Sequence, residues 1–337
     1  AIYVFDPAKA ANEELVFEHP EVDVYGLMQS KKRKVITGVA YVTDRARYHF
    51  FDRERADLQD ELESRLPGRE VTVTSMSKDE ERVLVHAGGD RTQGAYYFYD
   101  RTTGDFRELA QLSPWLNEDE LAPMKPVQYT ARDGLVIHGY LTLPAHSDGK
   151  NLPVVINPHG GPWARDSWGY DSEVQFLASR GLAVLQMNFR GSTGYGRAFW
   201  EAGFKQWGRA MQDDITDGVQ WLIDQGIADP KRVGIYGGSY GGYAVLAGLA
   251  FTPDLYACGV DYVGVSNIFT LLETIPPYWE LGRKMMYVQI GDPEKDKDLL
   301  EAASPVFHAD RIKAPLFVAQ GANDPRVKKA ESDQIVE

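Results

Sequence analysis

The chain has 337 residues, of which 43% are hydrophobic, and a formal net charge of −13. Its length favours two domains, and its apolar content is ample for buried cores. No apolar run reaches the ~18 residues of a membrane span, and an acidic surface disfavours nucleic acid because it repels phosphates. The single cysteine, Cys258, excludes an internal disulfide framework and a Cys-based zinc site. Its apolar neighbours predict a buried structural thiol.

Three aromatic segments near the N-terminus share a pattern and a spacing. They are IYVFD at 2–6, YHFFD at 48–52 and YYFYD at 96–100, and each is typical of a strand that ends in a turn. A period of about 40 to 50 residues with several strands per unit is typical of β-propeller blades. We therefore predict about two blades, the last of a propeller, over residues 1–112. Because closed propellers usually need about four to eight blades, we expect the natural protein to extend beyond Ala1.

A proline-rich, acidic segment follows, and it predicts a linker over residues 113–126. Its acidic cluster, Glu118, Asp119 and Glu120, has two interpretations. The cluster could bind a metal ion or a substrate amine, but a solvated acidic face is the favoured interpretation. We therefore expect no metal site.

Strands and helices alternate over residues 127–337, which predicts a mostly parallel, doubly wound sheet with helices on both faces. A β-hairpin is expected around Asp133-Gly134. The spacing of apolar residues predicts a helix over 211–225 with one buried face. That face carries Met211, Ile215, Val219 and Leu222. Ligands of such sheets bind beyond the carboxyl ends of the strands, so polar residues that follow strands are the candidate site.

The segment YGGSYGGY, residues 236–243, places Gly-x-Ser-x-Gly between an apolar strand and a predicted helix. This pattern is typical of the nucleophile elbow of the α/β-hydrolase fold, in which a sharp turn lifts the serine hydroxyl clear of the sheet. Ser239 is therefore the candidate nucleophile. The backbone N–H of Tyr240, at the start of the helix, can donate to an oxyanion.

Two further loops follow strands of the same sheet. In HGGP, Gly161 is expected to supply a second oxyanion N–H and Gly160 to shape the loop. For His159, a loop-shaping role is favoured over the alternative role of the base, because the base is expected after the acid. Asp324 follows a strand in QGANDPRV, where a carboxylate can orient an imidazole. An Asx turn before a helix is the structural alternative for Asp324. The segment RGSTGYG at 190–196 lacks the lysine of a P-loop and has no obvious chemistry of its own.

A serine nucleophile needs a base, which in such hydrolases is a histidine that follows the acid. No histidine follows Asp324, and His308 precedes the strand that leads to it. We therefore expect the hydrolase domain to continue beyond Glu337 and the chain by itself to be inactive as a peptidase. The next candidates for the acid are Asp261 and Asp292.

The segments HGGP, NFRGSTGYGR, GGSYGGY and GANDPRV occur in this order within residues 152–327. Together they resemble the prolyl oligopeptidase family of serine peptidases, nearest to its acylaminoacyl-peptidase-like branch. The resemblance implies Ser239 as nucleophile and Asp324 as triad acid. It implies an oxyanion hole formed by the N–H groups of Tyr240 and Gly161. It also implies hydrolysis of short peptides, because a propeller limits access to the site. It implies no cofactor.

Three functions remain open from the sequence. The leading one is a serine peptidase of acylaminoacyl-peptidase, dipeptidyl-peptidase or oligopeptidase type. An esterase of the same fold and a non-catalytic scaffold that binds peptides are the alternatives. Peptides and esters share the acyl-enzyme mechanism, so a triad does not separate the first two functions. The sequence leaves open a homo-oligomer and the compartment, with the cytoplasm favoured over the periplasm.

Overall fold

The computed structural model describes all 337 residues, Ala1–Glu337, as two compact units. The N-terminal unit comprises Ala1–Met124, Ser167–Gln175 and Gly194–Gly196. The C-terminal unit comprises Lys125–Asp166, Phe176–Thr193 and Arg197–Glu337. Every helix is too short or too polar to cross a bilayer.

The N-terminal unit contains small antiparallel sheets whose strands are consecutive in the chain. The first sheet pairs β1 (Ile2–Asp6) with β2 (Ala11–Phe17), and the second contains β3 (Val24–Ser30), β4 (Val35–Val42) and β5 (Ala46–Phe50). The third contains β6 (Glu70–Met76), β7 (Arg82–Gly89), β8 (Thr92–Asp100) and β9 (Phe106–Gln111). The first and third aromatic segments lie in β1 and at the end of β8, and the second lies in β5 up to Phe50, so each forms strand as predicted. Such consecutive antiparallel sheets are the arrangement of propeller blades.

A helix that the sequence analysis missed, α1 (Arg53–Arg65), lies between β5 and β6. It begins at Asp52, whose Oδ1 accepts the backbone N–H of Arg55 at 3.0 Å, so this aspartate is a helix N-cap and not only a strand-ending turn. Leu58 and Leu62 lie four residues apart on one face and pack into the core with Val83 and other side chains of the third sheet. The cap followed by this i, i+4 leucine pair was the signal that could have predicted the helix.

The acidic cluster of the predicted linker forms a single 3₁₀ turn, Glu118–Glu120. Both carboxylate oxygens of Glu118 accept hydrogen bonds at 2.8 Å from the guanidinium of Arg69. This pair holds the pKa of Glu118 below its usual value, because the arginine stabilises the charged form. No group of three or more His, Cys, Asp or Glu side chains in the structure is placed to hold a metal ion.

The C-terminal unit is built on a seven-stranded sheet of order β10-β11-β13-β12-β14-β15-β16. Its strands are β10 (Met124–Thr130), β11 (Val136–Thr142), β12 (Leu152–Ile156), β13 (Ala183–Asn188), β14 (Ala228–Gly238), β15 (Cys258–Tyr262) and β16 (Leu316–Ala319). The five strands from β13 to β16 in this order run parallel, and β11 pairs with β13 antiparallel. The predicted hairpin joins β10 and β11 through a turn in which Gly134 has φ +93°.

Helices connect these strands, as in an α/β-hydrolase fold, and the predicted fold class is confirmed. They are α2 (Ser172–Ala178), α3 (Gly196–Glu201), α4 (Ala210–Asp224), α5 (Tyr240–Phe251), α6 (Ile268–Glu273), α7 (Arg283–Gln289), α8 (Lys297–Ala303) and α9 (Lys329–Val336). Two 3₁₀ segments, Pro277–Gly282 and Pro305–Arg311, lie among them. The four apolar residues predicted to share one face of α4 are all buried. Helix α5 is buried on all sides from Tyr240 to Ala250, which places it in the centre of this unit.

The prediction of a buried thiol at Cys258 is wrong, because the structure exposes this residue. Cys258 is the first residue of β15, and side chains alternate between the two faces along a strand. In β15 the buried positions are Gly259 and Asp261. The apolar run around Cys258 therefore marked a central strand correctly but did not indicate which of its residues are buried.

A buried ion pair connects the loop after β13 to α4. The guanidinium of Arg190 donates to both oxygens of Asp214, at 2.7 and 2.9 Å, and its backbone N–H adds a third hydrogen bond. The same guanidinium binds Asp133 of the β10–β11 turn. Burial raises the pKa of the fully buried Asp214, and the hydrogen bonds from Arg190 oppose that shift. The RGSTGYG segment thus begins with a structural arginine that ties three parts of this unit together.

We expect Asp214→Ala to lower the free energy of unfolding by about 3 to 5 kcal/mol, because it leaves the Arg190 guanidinium buried without its main partner. The matched control is Asp213→Ala, which removes an exposed carboxylate bonded to Arg132 on the same helix and should cost at most about 1 kcal/mol. Urea unfolding of both variants measures the difference. Equal losses of unfolding free energy would show that the buried ion pair stabilises the protein no more than the exposed one.

Candidate active site

The turn between β14 and α5 holds Ser239 in a strained backbone conformation, which persists only where the neighbouring segments pack closely around it. Its backbone has φ 58° and ψ −117°, a region that residues other than glycine rarely adopt. A Cβ on Gly241 would lie 2.2 Å from the carbonyl oxygen of Pro158, and one on Gly237 would lie 2.6 Å from the carbonyl carbon of Gly241. Only glycine fits at both positions. The strand, sharp turn and helix that the sequence predicts are therefore all present.

The HGGP loop after β12 passes directly against this elbow. A Cβ on Gly160 would lie 3.5 Å from the Cβ of Ser239, and the side-chain amide of Asn157 donates to the carbonyl of Tyr236 at 2.9 Å. Gly161, with φ +126°, lines the same cavity as Ser239 and Tyr240. The N–H of Tyr240 has no acceptor within its own helix, because the first four N–H groups of a helix never do. The loop and the helix start are thus both placed beside the serine, while their role in binding an oxyanion stays a prediction.

His159 is held in the loop by contacts on both ring nitrogens. Its Nδ1 lies 2.7 Å from the carbonyl oxygen of Gly160, its Nε2 lies 2.9 Å from the hydroxyl of Ser192, and the ring stacks on Phe189 with centroids 4.4 Å apart. Desolvation lowers the pKa of His159 to about 4, so the ring is neutral at pH 7. These contacts suit the loop-shaping role predicted for His159, and Ser192 of RGSTGYG is a partner that the sequence analysis missed.

His308 lies at the wrong end of α5 to serve Ser239. Its ring makes an edge contact with Phe251, the last residue of α5, with centroids 5.4 Å apart. Ser239 precedes the first residue of the same helix, and a rise of 1.5 Å per residue separates the two ends by about 17 Å.

Asp324 lies in the loop after β16. Its Oδ1 accepts the backbone N–H groups of Arg326 at 2.8 Å and Val327 at 3.0 Å, which is the Asx turn that the sequence offered as the alternative. Arg326 and Val327 line the same cavity as Ser239. The turn brings the Asp324 loop to this cavity, so the Asx turn and the proposed triad role are compatible.

The two other acid candidates have different surroundings. Asp292 lies in a turn, where its Oδ1 accepts the N–H of Glu294 and its pKa is lowered by that bond. Asp261 is fully buried on β15, directly beside the elbow, and its Oδ1 would lie 2.4 Å from a Cβ on Gly242. Burial raises the pKa of Asp261 to about 7, and the backbone N–H of Gly264 opposes the shift.

An apolar cavity of about 420 Å³ opens beside Ser239. Its wall is mainly aromatic and aliphatic, and it includes Trp163, Trp207, Leu271, Tyr278, Trp279 and Met286. They come from five separate segments of the chain, so no local pattern could have predicted this cavity. The aromatic pair in PPYW, at 278–279, was the one visible signal.

Asp261→Asn should stabilise the protein more at pH 8 than at pH 5. The pKa of Asp261 is about 7 in the folded protein, and its ordinary value is 3.8. Between these two pH values the folded protein binds more protons than the unfolded protein. The free energy of unfolding therefore falls as the pH rises from about 4 to about 7. Asparagine removes the charge and its cost. Thermal melts at both pH values test this, with the exposed Asp310→Asn as control. A change in Tm that is the same at both pH values would contradict a raised pKa.

Comparison with known proteins agrees with this architecture. The model of the prolyl oligopeptidase family matches residues 168–337. Dipeptidyl aminopeptidase BIII of Pseudoxanthomonas mexicana is 44% identical, and the match covers 100% of this chain and 50% of that protein. Dipeptidyl peptidase family member 6 of Caenorhabditis elegans is 39% identical over 80% of this chain and 40% of its own length.

Among solved structures, a puromycin-hydrolyzing peptidase of Mycobacterium tuberculosis superposes with a TM-score of 0.75 and 31% identity, over 89% of this chain and 45% of that one. The chain thus spans half or less of the length of these relatives. Because the family model covers half of the chain, and covers the elbow and the Asp324 loop, the chain belongs to the prolyl oligopeptidase family.

Proposed function

We propose that the protein of which these 337 residues form part is a serine peptidase that hydrolyses short peptides through an acyl-enzyme on Ser239. The observation that carries the proposal is the strained elbow at Ser239, which lines an apolar cavity together with Gly161 and Tyr240. Strain of this kind costs roughly 1–3 kcal/mol and persists where the surroundings enforce it, often at active sites. The relatives named dipeptidyl aminopeptidase and dipeptidyl peptidase support the same activity.

The chemistry follows from the placement of these groups. The Ser239 hydroxyl attacks the carbonyl carbon of the scissile bond and loses its proton to a histidine base. The N–H groups of Tyr240 and Gly161 stabilise the oxyanion that forms. The histidine then protonates the leaving amine, and water hydrolyses the acyl-enzyme by the same steps. Asp324 orients the histidine and stabilises its charged form.

The cavity suggests which residue of the substrate precedes the cleaved bond. Its wall is aromatic and aliphatic, and its volume of about 420 Å³ suits one large side chain. Burying such a side chain gains about 1.5–3 kcal/mol. We therefore propose an apolar or aromatic residue on the acyl side of the scissile bond. Arg326, at the same cavity, can bind a carbonyl or carboxylate of the substrate.

We also propose that the chain ending at Glu337 is inactive alone. The two histidines considered as bases are engaged elsewhere, His159 with Ser192 and Gly160, and His308 against Phe251. A serine hydroxyl without a base is a weak nucleophile at neutral pH. An esterase of the same fold would use the same groups. In a non-catalytic scaffold, Ser239 would not react with a fluorophosphonate, so labelling separates the scaffold from the two enzymes.

A fluorophosphonate should label Ser239 in the full-length protein, because the reagent reacts with serines activated by a base. Mass spectrometry of the digested protein locates the adduct, and Ser239→Ala should abolish it. The chain ending at Glu337 should show neither labelling nor turnover of a chromogenic peptide and an ester. An adduct on another serine with Ser239 unmodified would contradict the assignment. Turnover by the short chain that disappears in Ser239→Ala would show that it contains a base.

Asp324→Asn should reduce kcat of the full-length enzyme by about 10⁴-fold, because asparagine favours the wrong tautomer of the histidine. Asparagine keeps an oxygen that can accept the N–H groups of Arg326 and Val327, so the turn and the fold should persist. The exposed Asp310→Asn is the control for a lost surface charge. Steady-state kinetics measures kcat, and near-normal turnover would move the acid to another residue.

A further inference from the structure

A buried carboxylate outside the proposed triad joins α9 to the segment between β15 and α6. Glu331 is only 2% exposed, although it lies on the short C-terminal helix. Its Oε2 accepts the backbone N–H groups of Ser266 at 3.0 Å and Asn267 at 2.9 Å. Bonds from backbone N–H groups to a carboxylate are among the stronger hydrogen bonds in proteins. They fix the position of the backbone itself rather than of a mobile side chain.

Hydrogen bonds from neighbouring side chains also surround Glu331, and the Ser266 hydroxyl is within 3.1 Å of Oε2. The hydroxyl of Thr270 donates to Oε1, and the side-chain amide of Gln334 donates to Oε2 at 2.9 Å. The hydroxyl of Ser266 donates to the backbone carbonyl of Glu331 at 2.6 Å. Both carboxylate oxygens are therefore satisfied, as the burial of a charged group requires. The contacts of Glu331 are therefore part of the buried hydrogen-bond network of this unit and not a surface contact.

The two segments joined by Glu331 both reach the apolar cavity beside Ser239. Val265 precedes Ser266, Leu271 follows Thr270, and both line the cavity. On the other side, Val327 lines the cavity four residues before Glu331, and its N–H binds Oδ1 of Asp324. The carboxylate thus connects one wall of the cavity to the loop that carries the proposed acid.

We infer that Glu331 is a positioning residue that holds the Val265–Leu271 wall of the cavity against α9 and so sets the fit of the substrate side chain. The inference rests on the proposed function. Asp324 is held by its own turn through Arg326 and Val327, so loss of the Glu331 contacts loosens the wall and leaves the acid in place. Selectivity for a large apolar residue then depends on Glu331, whereas the acyl-transfer chemistry does not.

Glu331→Gln in the full-length enzyme tests this. Glutamine has the same size and can keep its carbonyl oxygen toward the donors at Ser266, Asn267 and Gln334, but it removes the negative charge that strengthens those bonds and turns its NH₂ group toward the Thr270 hydroxyl. The matched control is Asp333→Asn, which removes a charge from an exposed residue of the same helix. For a peptide anilide with phenylalanine before the scissile bond, we expect KM to rise about tenfold or more, with a smaller change in kcat. Turnover of p-nitrophenyl acetate, whose acetyl group is too small to fill the cavity, should stay within about threefold of the control.

Thr270→Val provides a second variant, because it removes one donor to Glu331 and keeps the shape of the side chain. It should raise KM in the same direction but less. An unchanged KM for the anilide in a folded Glu331→Gln variant would overturn the inference. So would an equal loss on anilide and ester, which would indicate general damage to the site.

Hydrogen exchange of the Ser266 and Asn267 amides separates this inference from the proposed function. It should be faster in Glu331→Gln than in Asp333→Asn, whether or not the protein is a peptidase. If Ser239→Ala retains activity on both substrates, the proposed function fails. The exchange rates then decide the role of Glu331. Faster exchange in Glu331→Gln supports Glu331 as the residue that holds the wall, and unchanged exchange overturns the inference.

Discussion

The close approach of three backbone segments around Ser239 is the constraint on which this unit depends. The end of β14, the start of α5 and the loop after β12 approach one another so closely that Gly237 and Gly241 leave no room for a Cβ. This packing sustains the positive φ of Ser239. The same approach brings the backbone of the HGGP loop beside the serine. The strained backbone of Ser239, the need for glycine at 237 and 241 and the position of the proposed oxyanion donors therefore all follow from this one packing arrangement.

Buried polar groups hold the loops around this centre. Arg190 and Asp214 tie the loop after β13 to α4, Ser192 in that loop holds His159, and Glu331 ties α9 to the segment after β15. Each group is costly to bury, and each is compensated by hydrogen bonds. Loops at the carboxyl edge of a parallel sheet lack a ladder of their own, so such contacts determine where their side chains and N–H groups lie. Asp261 has fewer compensating contacts, which is why its pKa rises to about 7.

The sequence predicted the elements whose information is local. Alternating apolar segments indicated the parallel strands, a 3.6-residue period indicated the buried face of α4, and Gly-x-Ser-x-Gly indicated the elbow. Helix α1 was not predicted, because its short leucine pattern lies between aromatic strands that dominate the repeat. The predicted burial of Cys258 was wrong, since apolar composition identifies a strand but not which of its side chains are buried.

The sequence motifs and their position after strands indicated the candidate nucleophile, the proposed acid loop and the proposed oxyanion loop, because parallel strands end at one edge of the sheet. The tertiary structure alone decided how those loops are held and which side chains line the cavity beside Ser239. The apolar cavity is assembled from segments as distant as Trp163 and Val327, and the partners of His159 and Glu331 lie 33 and 65 residues away. Such contacts depend on how loops from different strands pack together, and no local spacing of residues encodes that packing.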